Sequence, residues 1–316
     1  MKTNAVIYLK GVSLIFGIFV LTWFFRWSYV NAVNEEGIGI SPTVQQFRVL
    51  PGKTHEGEIY LTNKKENKKD IILYPTVKQF KADSSKSGVP IFIDIESDLL
   101  DWIKFDKESY KIGYGETVSS RFVINVPEGT VAGGYYLAVI YSTSSKDNER
   151  GVSFSESLNS LLLITVAGDY LEMGIIDNFT TLRNVNLGND VGFVVEFVNQ
   201  GNVHLKPQGE ITIFRSDENN AVSVIDFNES GKFILPESSR NYIDSWDTRF
   251  LWGGNYNARL DVTFRKNGEI VHNSYYTSFF VIPYWWVVLL LFIIGLIFYK
   301  RDAILDVVKF RIKNNL

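Results

Sequence analysis

Three histidines and one run of acids are the residues whose chemistry could go beyond packing. His55, His204 and His272 each stand alone. None has a second histidine at a metal-ligand spacing such as H-x-x-H. That spacing points to surface or strand histidines. A Ser-His-Asp site would have to assemble from distant positions, and no G-x-S-x-G elbow accompanies one. The acids Asp94, Glu96, Asp98, Asp101 and Asp106 crowd one short stretch. Paired carboxylates could serve glycoside hydrolysis or bind calcium through oxygen. The stretch lacks the D-x-[DN]-x-[DN]-G loop. Asp94-Ile95-Glu96 alternates like a strand with an outward acidic face, where charge blocks edge-to-edge aggregation. No G-x-x-x-x-G-K-[ST] or G-x-G-x-x-G phosphate cradle occurs. Cysteine is absent, which excludes disulfides, a thiolate nucleophile and cysteine metal sites. The expectation is a binding protein with no catalytic residues, no metal and no cofactor.

The elements that must position any binding residues are strands. Phe122, Ile124 and Val126 share one face of a two-residue alternation, as do Val191, Phe193, Val195 and Phe197. Between Asn257 and Arg265, Ala258, Leu260, Val262 and Phe264 face one way and polar residues the other. This is the pattern of half-buried antiparallel strands. Asn267-Gly268 joins the last of them to Ile270–Tyr276 as a tight hairpin. Pro51-Gly52, Pro127-Glu128-Gly129 and a polar loop at 144–151 punctuate the rest. Many short strands between turn signals mean β-sandwich. The chain has 316 residues, room for two such domains. The composition resets at Ala167-Gly168-Asp169, so domains are expected at 38–168 and 169–280. Each half has a strand ending in asparagine, at Asn63 and Asn199. Each also has a late Gly-Gly before a tyrosine-bearing strand, at Gly133-Gly134 and Gly253-Gly254.

The two ends differ from the middle. Residues 1–32 and 300–316 hold 8 of the 32 basic residues and 2 of the 35 acids, and the middle is net −9. An acidic body rules against a nucleic-acid partner, which needs a basic face. Lys2 and Lys10 precede the uncharged run Gly11–Phe25, and Val30-Asn31-Ala32 offers a cleavage site, so 1–32 reads as a signal peptide. Phe279 to Tyr299 is uncharged and followed by Lys300-Arg301. A transmembrane helix is expected over 281–299, with membrane lipid around it and a basic cytoplasmic tail at 300–316. The sequence-level fold class is thus all-β: two tandem immunoglobulin-like β-sandwich domains plus a C-terminal transmembrane helix. The expected localisation is the cell membrane, single-pass, with 33–280 outside.

Several short motifs carry a resemblance. Pro51-Gly52, Thr62-Asn63, Val126-Pro127 and Gly133-Gly134-Tyr135-Tyr136 fall within residues 42–142. In that order they resemble the first domain of bacterial WxL-interacting surface proteins. The resemblance implies a signal peptide, two sandwiches, one membrane helix and a basic tail. It also implies binding of cell-wall peptidoglycan by the first domain and of another cell-surface protein or host matrix by the second. It fixes no ligand residue. Of the tryptophans outside the apolar ends, Trp102 and Trp246 read as core anchors. Trp252 precedes Gly253-Gly254 at a turn and is the candidate ligand-binding residue. The leading expectation is a non-enzymatic surface protein binding wall or another surface protein. The rivals are a wall hydrolase using dispersed carboxylates and chaperone-like binding by strand addition at an open edge.

Overall fold

A computed structural model describes residues 37–64, 69–94, 96–143, 157–188, 190–216, 220–248 and 253–297. The expected signal peptide 1–32, the polar loop expected at 144–151, Trp252 and the basic tail 300–316 lie outside the described residues. The protein is all-β, with two immunoglobulin-like sandwiches in tandem.

The first sandwich is built from β1 (Ile38–Ser41), β2 (Val44–Val49), β3 (Thr54–Asn63), β4 (Ile71–Ala82), β5 (Pro90–Ile93), β6 (Ile103–Phe105), β7 (Tyr110–Ile112), β8 (Thr117–Asn125), β9 (Gly133–Ser142) and β10 (Ser157–Val166). One sheet runs β1-β3-β8-β6, the other β2-β10-β9-β4-β5, with β7 also on β4. The chain enters along β1, antiparallel to β3, crosses to the other sheet at Pro42, and continues as β2, parallel to β10. The alternation dictates the core: Ile59, Leu61, Phe122, Ile124, Tyr141 and Leu162 meet between the sheets.

The second sandwich repeats this plan. Its strands are β11 (Gly174–Thr181), β12 (Val185–Leu187), β13 (Asp190–Asn199), β14 (Gln208–Arg215), β15 (Ala221–Phe227), β16 (Ser238–Asp247), β17 (Gly254–Lys266) and β18 (Glu269–Ile282). The sheets are β11-β13-β16 and β12-β18-β17-β14-β15. Again the entering chain pairs antiparallel first, β11 on β13, then parallel to the last strand, β12 on β18. The core includes Phe193, Phe197, Trp246, Tyr256, Leu260 and Val262.

The sequence echoes have physical causes. Asn63 and Asn199 both end the third strand of their sandwich and are fully buried. Asn63 Nδ2 donates to the carbonyls of Lys69 (2.7 Å) and Ile112 (3.3 Å). Asn199 Nδ2 donates to those of Val203 (2.8 Å) and Ile234 (3.0 Å). Each staples the chain leaving the strand to a more distant segment, and the amide itself is satisfied inside the fold. Gly133 and Gly254 open β9 and β17 with φ of +155° and +142°, a region glycine tolerates. Just beyond them Tyr135 lies against Trp102 (ring centroids 4.8 Å) and Tyr256 against Trp246 (5.5 Å). Both tryptophans are buried core anchors.

The expected membrane helix over 281–299 is corrected by the structure, and with it the single-pass localisation. Among the described residues no helix is long and apolar enough to cross a membrane. The reason lies at the start of the apolar run. Phe279 to Ile282 close β18, pairing with β17, and Phe279 and Val281 are buried in the second core. Pro283 ends the strand, and a helix, α1, follows over residues 284–297.

Candidate functional site

The last strand of the first sandwich is only partly flanked. β10 pairs along its whole length with β9, Ser157↔Ser142 to Val166↔Gly133. On its other side β2 begins only at Val44↔Leu161. Among the described residues no strand pairs with Ser157 to Ser160 on that side, which leaves an open edge. Leu161 N–H donates to the Thr43 carbonyl at 2.9 Å on the β2 side. Backbone direction repeats every second residue, so the N–H and C=O groups of Asn159 and Ser157 point to that same, unflanked side. Ser160 Oγ donates to the Pro42 carbonyl (2.8 Å), pinning the place where β2 arrives.

The open edge leads into a cleft between the two sandwiches. Leu161 and Leu163 face away from the first core, beside Phe80, Tyr136 and Ala138 from the neighbouring strands. Phe233 and Leu235 of the second sandwich pack onto this outer face. The cleft has a volume of ≈ 590 Å³, with Pro42, Val44, Leu161 and Leu163 on one wall and Phe233 and Arg240 on the other. It is apolar along the β10 wall and cationic on the opposite one, where Lys232 joins Arg240.

Three sets of contacts hold the cleft's shape. Asn202 ties the sandwiches at the hinge: its carbonyl accepts from Gly134 N–H (2.8 Å) and its Oδ1 accepts from Leu171 N–H (2.8 Å). The loop between β4 and β5 reaches across, where the Lys86 carbonyl accepts from Asn241 N–H (2.8 Å) and the Lys86 ammonium pairs with Glu196. His204 sits between the domains, 3.4 Å from Tyr136 Oη and 3.3 Å from Gln46 Oε1, edge-on to Phe233. Burial holds its pKa down to about 4. Below it a smaller cavity of ≈ 280 Å³ is lined by Arg48, Lys206 and Arg265 against Glu172. Arg48 lies over the Tyr170 ring, Lys206 over Phe233, and Arg265 is 3.6 Å from Glu172.

The residues singled out in the sequence go elsewhere. His55 is exposed, its ring edge-on to Phe47 (5.2 Å), and His272 is exposed on β18. His204 is the exception: the turn beside it belongs to the hinge, so it is an interdomain contact rather than a surface residue. The acids disperse. Asp94 pairs with Lys78 and Asp101 with Lys104, while Asp106 accepts from Tyr110 Oη and Arg121 N–H. Among the described residues no group of three or more His, Asp or Glu side chains could hold a metal ion. Of two glycosylation-type sequons, Asn178 is exposed on β11. Asn228 is buried, its side chain bonded to Pro207 and Lys232. Sequence reasoning missed the open edge of β10 because it depends on where β2 stops.

No family model and no curated protein matches the chain. Solved structures with a related arrangement of strands exist. The class 5 fimbriae chaperone CfaA is 13% identical, the match covering 78% of this chain and 100% of that one, at a TM-score of 0.37. The E. coli chaperone DraB is 11% identical over 78% and 97%, at 0.35. The Pseudomonas aeruginosa CupB2 chaperone is 9% identical over 75% and 98%, at 0.36. These comparisons supply no family model for the resemblance to WxL-interacting proteins, and that expectation is corrected accordingly. Peptidoglycan and lipid as partners find no support in them either. The motifs that carried the resemblance are positions that such a sandwich needs. Gly52 takes φ +71° in its turn, Asn63 is the buried staple and Gly133 opens β9 at φ +155°. The second sandwich reuses the last two, at Asn199 and Gly254.

Proposed function

We propose that the protein binds another protein without catalysing a reaction, taking an extended segment as an added strand along β10. The observation that carries this reading is the unflanked backbone of Ser157 to Ser160, which runs directly into the interdomain cleft. Strand addition supplies main-chain hydrogen bonds for affinity and side-chain pockets for selectivity. Here the edge offers the bonds, and the apolar wall of Leu161, Leu163 and Val44 offers a pocket. The arriving segment is expected to be uncharged where it meets that wall, since burying a charge there costs far more than a strand bond returns.

Asn159→Pro tests the reading. The Asn159 N–H lies outside the β9–β10 ladder, so proline there removes a donor for the added strand and no internal bond. Titrated with a fluorescent nonapeptide of alternating valine and threonine, the full chain is expected to bind and the variant to bind at least tenfold more weakly, about 1.4 kcal/mol, with an unchanged melt. Equal affinity in a folded variant removes β10 as the acceptor. Release of sugar or peptide from purified cell wall would overturn the non-catalytic part.

A further inference from the structure

The second sandwich has a longer free edge, on a strand the proposed function does not use. β18 pairs with β17 from Glu269 to Val281. On its other side β12 covers only Phe280 to Ile282. Phe280 N–H donates toward β12's side, to the Asn184 carbonyl (2.9 Å). By the two-residue repeat, Ile270, His272, Ser274, Tyr276 and Ser278 also aim their N–H and C=O groups at that side. Among the described residues no strand pairs with them there. All five side chains are exposed, Ile270 by 67% and Tyr276 by 71%.

Sheet edges in folded proteins are blunted by brevity, charge, proline, bulges or a covering loop, and so are the other edges among the described residues apart from the four open residues of β10. β1, β5, β6 and β12 have three or four residues each. β2 carries Arg48. β11 is interrupted by a register shift between Ile176 and Asn178 and carries Asp177. β15 carries Asp226. β16 is met at Asn241 by the Lys86 carbonyl. Among the described residues β18 has none of these: from Ile270 to Ile282 there is no Asp, Glu, Lys, Arg or Pro.

We infer that this edge is an interface for a second copy of the chain, two β18 strands running antiparallel about a two-fold axis at Ser274. That pairing sets Ser274 on Ser274, His272 on Tyr276 and Ile270 on Ser278. Every outward-facing residue meets another outward-facing residue, so about ten intermolecular backbone bonds form. No like charges come opposite one another. A neutral edge offers a charged segment nothing, whereas its self-complementarity satisfies an isologous contact. The pairing ends at Ser278, where β12 takes over.

The absence of cysteine makes the test clean. In a Ser274→Cys full chain the two thiols face each other at the spacing of an antiparallel pair, within disulfide range. Mild oxidation is expected to give a covalent dimer, and the same treatment of Val224→Cys, on the exposed edge strand β15, little. In sedimentation velocity the parent is expected to shift from monomer to dimer over the micromolar range, and Ser274→Pro to stay monomeric with an unchanged circular-dichroism melt. Should proline unfold the strand, Ser274→Lys sets two like charges face to face and keeps the test alive. Association undiminished in a folded Ser274→Pro or Ser274→Lys chain overturns the inference. So does equal cross-linking at Val224. The β10 reading is untouched by either result, because Asn159 lies on the other sandwich.

Discussion

Asn199→Ala is expected to lower the stability of the second sandwich by about 3 kcal/mol, as much as a badly placed core truncation. The side chain is fully buried and makes three hydrogen bonds. Two are donated, to Val203 and Ile234; one is accepted, from Gly201 N–H at 2.9 Å. Alanine would leave the Val203 carbonyl and the Gly201 N–H without these partners, while the Ile234 carbonyl keeps the Leu205 N–H; each buried orphan costs ~1–3 kcal/mol, partly relieved by local shifts. Asn199→Asp separates hydrogen bonding from packing. It keeps the shape, loses both donors and faces two carbonyls with a negative charge, so its loss should be at least as large. Urea denaturation reads both as a lower midpoint with an unchanged slope. A loss below about 1 kcal/mol for both variants would show that the staple is dispensable.

Acid should loosen the hinge through His204. Burial depresses its pKa from 6.5 to about 4, so the unfolded or opened chain takes up the proton first as pH falls. The neutral ring's contribution is undiminished above pH 6.5 and shrinks between 6.5 and 4. Below that it has fallen by about 3 kcal/mol. The partners cannot relieve the charge. Gln46 is neutral, and burial raises the Tyr136 phenol above its ordinary range, keeping it a hydroxyl donor. Because the ring lies between the sandwiches, opening the hinge rehydrates it without unfolding either core. Small-angle scattering should show the full chain expanding reversibly from pH 7 to pH 4, and His204→Gln should expand less. Carboxylates also titrate in this window, so the difference between the two chains is the measurement. Identical profiles would remove His204 from the hinge.

The sandwiches were legible in the sequence because alternation is a local signal. Phe122, Ile124 and Val126, the run Val191–Phe197 and the stretch Asn257–Arg265 all lie where their spacing puts them, in or at the end of β8, β13 and β17. Asn267-Gly268 turns the β17–β18 hairpin with φ of +49° and +86°. What spacing cannot express is pairing at a distance. Nothing near Val44 says that it will lie beside Leu161, so neither open edge could be read. The apolar run misled for a related reason. Phe279 and Val281 are as hydrophobic as any membrane residue, but their neighbours across the pair are Tyr256 and Gly254, and that pairing makes them strand. His204 looked like a turn residue because its partners, Gln46 and Tyr136, belong to the other domain.

The crossing of the first strand from one sheet to the other fixes an order of events during synthesis. β2 lies along β10, more than a hundred residues downstream, and β12 along β18 at nearly the same remove. When Phe47 and Val49 leave the ribosome, the strand that will shelter them has not been translated. Each sandwich can therefore close only after its last strand emerges, in one late docking step that joins the two ends of the domain. Such distant contacts place folding on the millisecond-to-second scale. A nascent chain halted before Leu161 carries an entry strand with no place to dock, and for that interval its apolar side chains stay open to any competing surface.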